Sequence, residues 1–244
     1  MPSSNRKLNG AAIALILAAS CASAPRWNQP IDTWGTMHSV MHEGRTEGKV
    51  ELADVATAPN AIGIGALAGL AGEIVILDGD VWTSRALSDG ARVETERTLR
   101  HDDQAALLVL THVARWREHV LERDISASEL DDRLRELAAE SGLRDAETFP
   151  FVIRGELEHL DAHVLNGRCP YSGPGTKETD PIASARSFAR GTLVGFYTLA
   201  EPGVLTHRGS RTHVHVVLDD REPFVGHVDA VRIRRGGRIA LPDG

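Results

Sequence analysis

Two Val-rich runs, Thr212-His213-Val214-His215-Val216-Val217 and Val225-Gly226-His227-Val228, flank the polar stretch Asp219-Asp220-Arg221-Glu222-Pro223. Such a pattern reads as a β-hairpin, because β-branched residues favour strands and a proline cannot continue a central one. Strand residues two apart point the same way, so His213 and His215 share a face with roughly 7 Å between their Cα atoms. A hairpin folded about Arg221 sets His227 opposite His215, since both lie six positions from the turn centre. Opposed side chains in an antiparallel pair have Cβ atoms about 4.5–5.5 Å apart. Three imidazoles can therefore converge, and three His with an open fourth position is a frequent catalytic zinc arrangement. The alternative is a solvated or hydrogen-bonded His-x-His pair, since His makes up 11 of the 244 residues.

The net charge of -7 argues against a nucleic-acid surface, which would need a basic stripe. Arg92, Arg97 and Arg100, like Arg232, Arg234 and Arg235, are short clusters that read as solvated faces. At the N-terminus Arg6 and Lys7 precede an apolar run from Gly10 to Ala19 and the small residues to Ala24, the layout of an export signal over residues 1–24. The run is too short to span a bilayer. Leu17-Ala18-Ala19-Ser20-Cys21 also resembles a bacterial lipoprotein signal that would leave a lipid on Cys21, and cleavage after Ala22 or Ala24 is the alternative. Either route predicts an exported protein, periplasmic, membrane-anchored or secreted. Cys169 then remains without a second cysteine, so no disulfide supports the fold.

Along the mature chain, Trp34, Met37 and Met41 predict a helix over Thr33 to His42. Ala61 to Leu70 and Glu73 to Leu77 read as strands, with Asp78-Gly79 as a turn into Val81-Trp82-Thr83. Ala105 to Val113 reads as a buried strand, with a helix as the alternative. Ser126 or Ser128 caps an amphipathic helix with Leu130, Leu134 and Leu137 inside, ending at Gly142. Phe149 to Leu157, His159 to Leu165, Arg190 to Leu199, His213 to Leu218 and Val225 to Ile233 predict a β-rich second half, with a loop over Asn166 to Pro181. The order implies an α+β fold of mixed, mainly antiparallel sheets and a few helices.

The segment Gly191-Thr192-Leu193-Val194-Gly195-Phe196-Tyr197, followed by His213, His215 and His227, resembles the alpha-acetolactate decarboxylase family. Further resemblance lies in Thr36-Met37 with Glu43-Gly44, in Gly63-Ile64-Gly65-Ala66-Leu67 through Gly72-Glu73 and Asp78-Gly79, and in Pro150 to Arg154 with His159. It covers roughly residues 33–242. The resemblance implies two related halves, about 33–148 and 149–244, in a protein that is commonly a homodimer. It implies a zinc enzyme converting 2-acetolactate to acetoin and carbon dioxide, with Zn2+ held by His213, His215 and His227 and approached by the Glu73 carboxylate. Such a cation acts as a Lewis acid on the charge that loss of carbon dioxide leaves, and an adjacent carboxylic acid can deliver a proton. Read alone, Glu73 could equally be the polar end of a strand.

The resemblance has gaps. Where the family places an arginine for the substrate carboxylate, this chain has Asp161-Ala162-His163-Val164, so His163 is the candidate carboxylate contact. A histidine is shorter and lacks the bidentate guanidinium fork. Arg208 or Arg211 could supply charge from another side, although each reads as a surface loop residue. The family's second glutamate, on a C-terminal extension, has no counterpart before Gly244. Three functions stay open: decarboxylation of 2-acetolactate or a similar 2-hydroxy-3-keto acid, metal or small-ligand binding without that reaction, and hydrolysis by a zinc-bound hydroxide.

Overall fold

Gly35 decides how the chain enters the fold. With φ of 70° it turns the backbone against the carbonyl of Ala106, where a Cβ would sit 2.2 Å from the oxygen. The predicted helix over Thr33 to His42 is therefore split. Asp32–Trp34 is a strand, β1, and the helix α1 is confined to Met37–His42. Thr36 and Ser39 cap α1 reciprocally, each side chain bonded to the other's backbone N–H. The computed structural model describes residues 27–56, 58–87, 90–170, 179–207 and 209–243. The export signal and Cys21 lie outside these residues, as does Arg208.

The first sheet comes from the N-terminal part of the chain. Its strands are β1, β2 (Val50–Glu51), β3 (Ala61–Leu67), β4 (Gly72–Leu77), β5 (Asp80–Ala86), β6 (Val93–Glu96) and β7 (Gln104–His112), in the order β1-β7-β3-β4-β5-β6 with β2 also on β7. A short helix α2 (Leu52–Val55) follows β2. The strand expected to run to Leu70 ends at Leu67, because Gly69 adopts φ of 68° inside a 3-10 turn. The run at Ala105 to Val113 is the strand β7, and its near-continuous burial explains why its sequence carries no alternation.

The second sheet holds β8 (Trp116–Val120), β9 (Ile125–Ser126), β10 (Thr148–Val164), β11 (Ile182–Thr198), β12 (Thr212–Leu218), β13 (Phe224–Ile233) and β14 (Arg238–Pro242). Every pairing among the described residues is antiparallel. Strands β10 to β13 pair in succession and β13 pairs again with β10, so this part of the sheet closes on itself. Helix α3 (Ala127–Glu140) begins at Ser126, whose N–H donates to the Glu129 carboxylate at 2.9 Å, and lays Leu130, Leu134 and Leu137 on the core beside Phe149 and Tyr197.

The two expected strands 149–157 and 159–165 are one strand, bent at His159, whose φ is 49°. That bend resets the alternation. Leu157 and Leu160 are both core residues although three apart, after which Ala162 and Val164 point inward and His163 outward. The side that receives His163 is the side that meets the first sheet. There Ile62, Ile64 and Val75 pack on Val152, Val194, Phe196 and Val217. Burying each such side chain stabilises the stack by roughly 1.5–3 kcal/mol.

Arginine side chains from both clusters are tied to acids. Arg97 bonds Asp80 and lies 4.9 Å over the Trp82 ring, Arg100 bonds Glu94 and Glu96, and Arg234 bonds Glu158. No helix among the described residues is long and apolar enough to cross a membrane.

Candidate metal centre

The period of two along β12 puts His213, His215 and Val217 on the side facing the first sheet. Val217 joins the layer between the sheets, while His213 and His215 extend it toward one end. The hairpin register sets His215 directly opposite His227, as the symmetric spacing about Arg221 predicts. On the other edge of β13, the same His227 pairs with His163 of β10. Among the described residues one group of three or more could hold a metal: His213, His215 and His227 offer ring nitrogens all within 4.8 Å of one another.

Each ring is tuned toward a neutral ligand. Burial holds all three imidazoles well below their ordinary pKa, reinforced by the neighbouring histidines. His215 donates Nδ1–H to the carbonyl of Ile74 at 3.0 Å, which leaves Nε2 as the lone-pair nitrogen. That Nε2 faces Nε2 of His213 at 3.2 Å. Two lone pairs so close need a proton or a cation between them, and Nδ1 of His213, buried beside the main-chain carbonyl of Leu205, is able to carry the N–H. The donor set therefore fits a divalent ion with imidazole preference, such as zinc.

Glu73 reaches the cluster from the first sheet. On β4 it shares a face with Val75, and its Oε2 lies 3.6 Å from Nε2 of His215. Its Oε1 accepts the backbone N–H of Leu165 at 3.2 Å. Burial raises its pKa to about 7, against the lowering influence of His163 and of that hydrogen bond. It can thus hold or release a proton near neutrality.

His163 is also at the site, and its Nδ1 bonds both carboxylate oxygens of Asp229, at 2.8 and 3.0 Å. Burial pulls its pKa down, but the Asp229 bond and the charge of Glu73 outweigh it, and the net direction is upward. Arg211 is not part of the site. Its backbone N–H bonds Asp131 and its guanidinium bonds the carbonyls of Leu199 and Ala200.

Two residues of the site went unnoticed in the sequence. Asp229 lies two positions after His227, so the strand period offered a signal for it. His207 stands in the loop before β12, its ring 5.7 Å from that of His227, and nothing local marks it. Glu73, His163, His207 and the three imidazoles line a cavity of about 30 Å³, walled by Met37 and Met41 of α1. Met37, Met41 and His207 also line an adjoining vestibule of about 570 Å³.

The family profile for alpha-acetolactate decarboxylase matches residues 33–241. No curated protein matches the chain. Among solved structures, the alpha-acetolactate decarboxylase from Bacillus subtilis strain 168 is similar at 19% identity and TM-score 0.66, over 86% of this chain and 85% of that one. The acetolactate decarboxylase from Bacillus subtilis subspecies spizizenii gives 20% and 0.67, over 88% and 86%. A Staphylococcus aureus protein of unknown function, described as similar to alpha-acetolactate decarboxylase, gives 19% and 0.62, over 88% and 85%. At these identities the likeness speaks for the fold.

Proposed function

The chain belongs to the alpha-acetolactate decarboxylase family, and we propose that it is an exported, zinc-dependent lyase converting 2-acetolactate, or a similar small 2-hydroxy-3-keto acid, to acetoin and carbon dioxide. The observation that carries this reading is the Glu73 carboxyl, buried 3.6 Å from His215 and beside the three imidazoles. A purely structural metal site has no need of a group poised to exchange protons.

Loss of carbon dioxide from such an acid breaks the bond between the carboxylate carbon and the hydroxyl-bearing carbon and leaves the electron pair delocalised over that carbon and the neighbouring ketone oxygen. His213, His215 and His227 would hold a divalent cation, which supplies Lewis-acid stabilisation of that negative charge. The product still requires one proton on carbon. Glu73, whose pKa burial raises to about 7 in the metal-free protein, is the group placed to deliver that proton from beside the cation. His163, clamped by Asp229 through Nδ1, is left to present Nε2 to the substrate carboxylate where the family uses an arginine. The small cavity has room for an ion and a water, so the substrate must sit partly in the vestibule beyond Met37 and Met41. Thioether side chains adapt readily to such an occupant.

A second reading, a metal-binding homologue without decarboxylase activity, draws on the same confined volume and on His163 in place of an arginine. Metal analysis together with an acetoin assay on racemic 2-acetolactate separates the two. Zinc with acetoin formation, both lost in His215→Ala, supports the lyase. Zinc without acetoin supports the homologue. Export by residues 1–24, with or without a lipid on Cys21, and a homodimeric state complete the proposal.

A further inference from the structure

Helix α1 carries two exposed imidazoles that the buried centre does not use. His38 and His42 stand four residues apart, the spacing that stacks side chains on one helical face. Their ring centroids are 5.0 Å apart, the same separation as the His213–His215 and His213–His227 pairs. The helix that holds them is fixed at several points. Met37 and Val40 are buried, the Thr36–Ser39 capping box closes its first turn, and the N–H groups of Met37 and His38 donate to the carbonyls of Val204 at 3.1 Å and Gly203 at 2.7 Å. Two imidazoles on so anchored a turn lose little freedom in gripping one ion. A carboxylate is nearby: Oε1 of Glu43 lies 3.9 Å from Nε2 of His38, while Arg45 holds the other oxygen at 3.2 Å.

We propose that His38 and His42 form a second divalent transition-metal site, open to solvent at the mouth of the vestibule that adjoins the three buried histidines. Both residues line that vestibule, together with His207. His207 also lines the inner cavity, and its ring lies 5.7 Å from that of His227. Imidazoles therefore run inward from the surface, a layout suited to collecting a free ion before it reaches the buried ligands. Nitrogen donors of this kind take copper, nickel or zinc in preference to magnesium or calcium. The site does not depend on the decarboxylase reading.

Calorimetric titration of the metal-free full chain with Zn2+ tests the proposal. Two binding classes are expected. The weaker class should fall at least tenfold in affinity in the His38→Ala/His42→Ala double variant while the tighter class is retained, and retention also reports that the variant is folded. His215→Ala should do the reverse. Rapid-mixing measurement of Zn2+ uptake should then show slower filling of the tight class in the double variant. A single class in the wild type, or a weak class that survives the double substitution unchanged, overturns the site. Unchanged filling kinetics overturns its part in metal entry.

Discussion

His215 donates Nδ1–H to the main-chain carbonyl of Ile74 at 3.0 Å, a bond that crosses from the second sheet to the first. One bond thereby joins the two sheets and aims Nε2 at His213. Burial, working against the raising influence of that bond, keeps the ring neutral, and this has a consequence for stability against pH. Burial holds His213, His215 and His227 well below the ordinary 6.5. In the unfolded chain they take up protons near pH 6.5, so their contribution to the stability of the metal-free protein is present above that pH and is lost as pH falls. Glu73 acts oppositely, because its pKa, raised from 4.5 to about 7, favours the folded state at low pH and disfavours it as pH rises through that window. His163, with its pKa also raised, acts in the same direction but only above pH 6.5. Denaturant titrations of the metal-free protein between pH 4.5 and 6.5 should show a loss of stability on acidification that is steeper in Glu73→Gln by up to about one proton.

The same substitution should separate chemistry from metal binding. Glu73→Gln keeps the shape and the acceptor for Leu165 N–H but removes the exchangeable proton. Zinc content should remain near that of the wild type, while acetoin formation falls by about 10²–10⁴-fold, the usual range for a general acid. A kcat that stays within a few fold of the wild type would assign the proton to another group.

Asp229 positions His163 through a charge-assisted pair of about 1.5–3 kcal/mol. Asp229→Asn should therefore raise KM for 2-acetolactate roughly ten- to hundredfold, with a smaller change in kcat, because it loosens the carboxylate contact rather than the reacting centre. Imidazole 15N spectra of the variant should show His163 redistributed between its tautomers.

Gly195 governs how closely β12 approaches. A Cβ there would stand 2.5 Å from the Phe151 ring and 2.7 Å from the carbonyl of His213. Both neighbours are buried, so Gly195→Ala must displace β12, at a cost of about 1–3 kcal/mol for overpacking. Zinc affinity should fall with stability, although no ligand is altered, and calorimetry with denaturant unfolding would record both.

Much of this site is legible in the sequence, because a period of two and a symmetric turn are local properties. They suffice to align His215 with His227 and to place His213 beside them. Glu73 came from resemblance rather than from its own surroundings, since only the stacking of the sheets brings it near His215. His163 needed the bend at His159 to turn it toward the site, and a residue with positive φ inside a strand leaves little trace in sequence. His207 depends on a loop whose neighbours at 203 and 204 bond to α1, a long-range match that no local pattern encodes. β8 and β14 were missed for a different reason. Trp116-Arg117-Glu118-His119-Val120 is polar on an edge, and Arg238–Pro242 is short and ends in proline.

X-ray absorption at the zinc edge, on protein loaded with one equivalent of Zn2+, tests the central arrangement most directly. Three imidazole nitrogens at about 2.0–2.1 Å, with oxygen completing the shell, is the predicted first sphere; in His215→Ala the imidazole count should drop and the ion should be lost on dialysis. A shell of oxygens alone, or an imidazole count unmoved by that substitution, would contradict a metal centre built from β12 and β13.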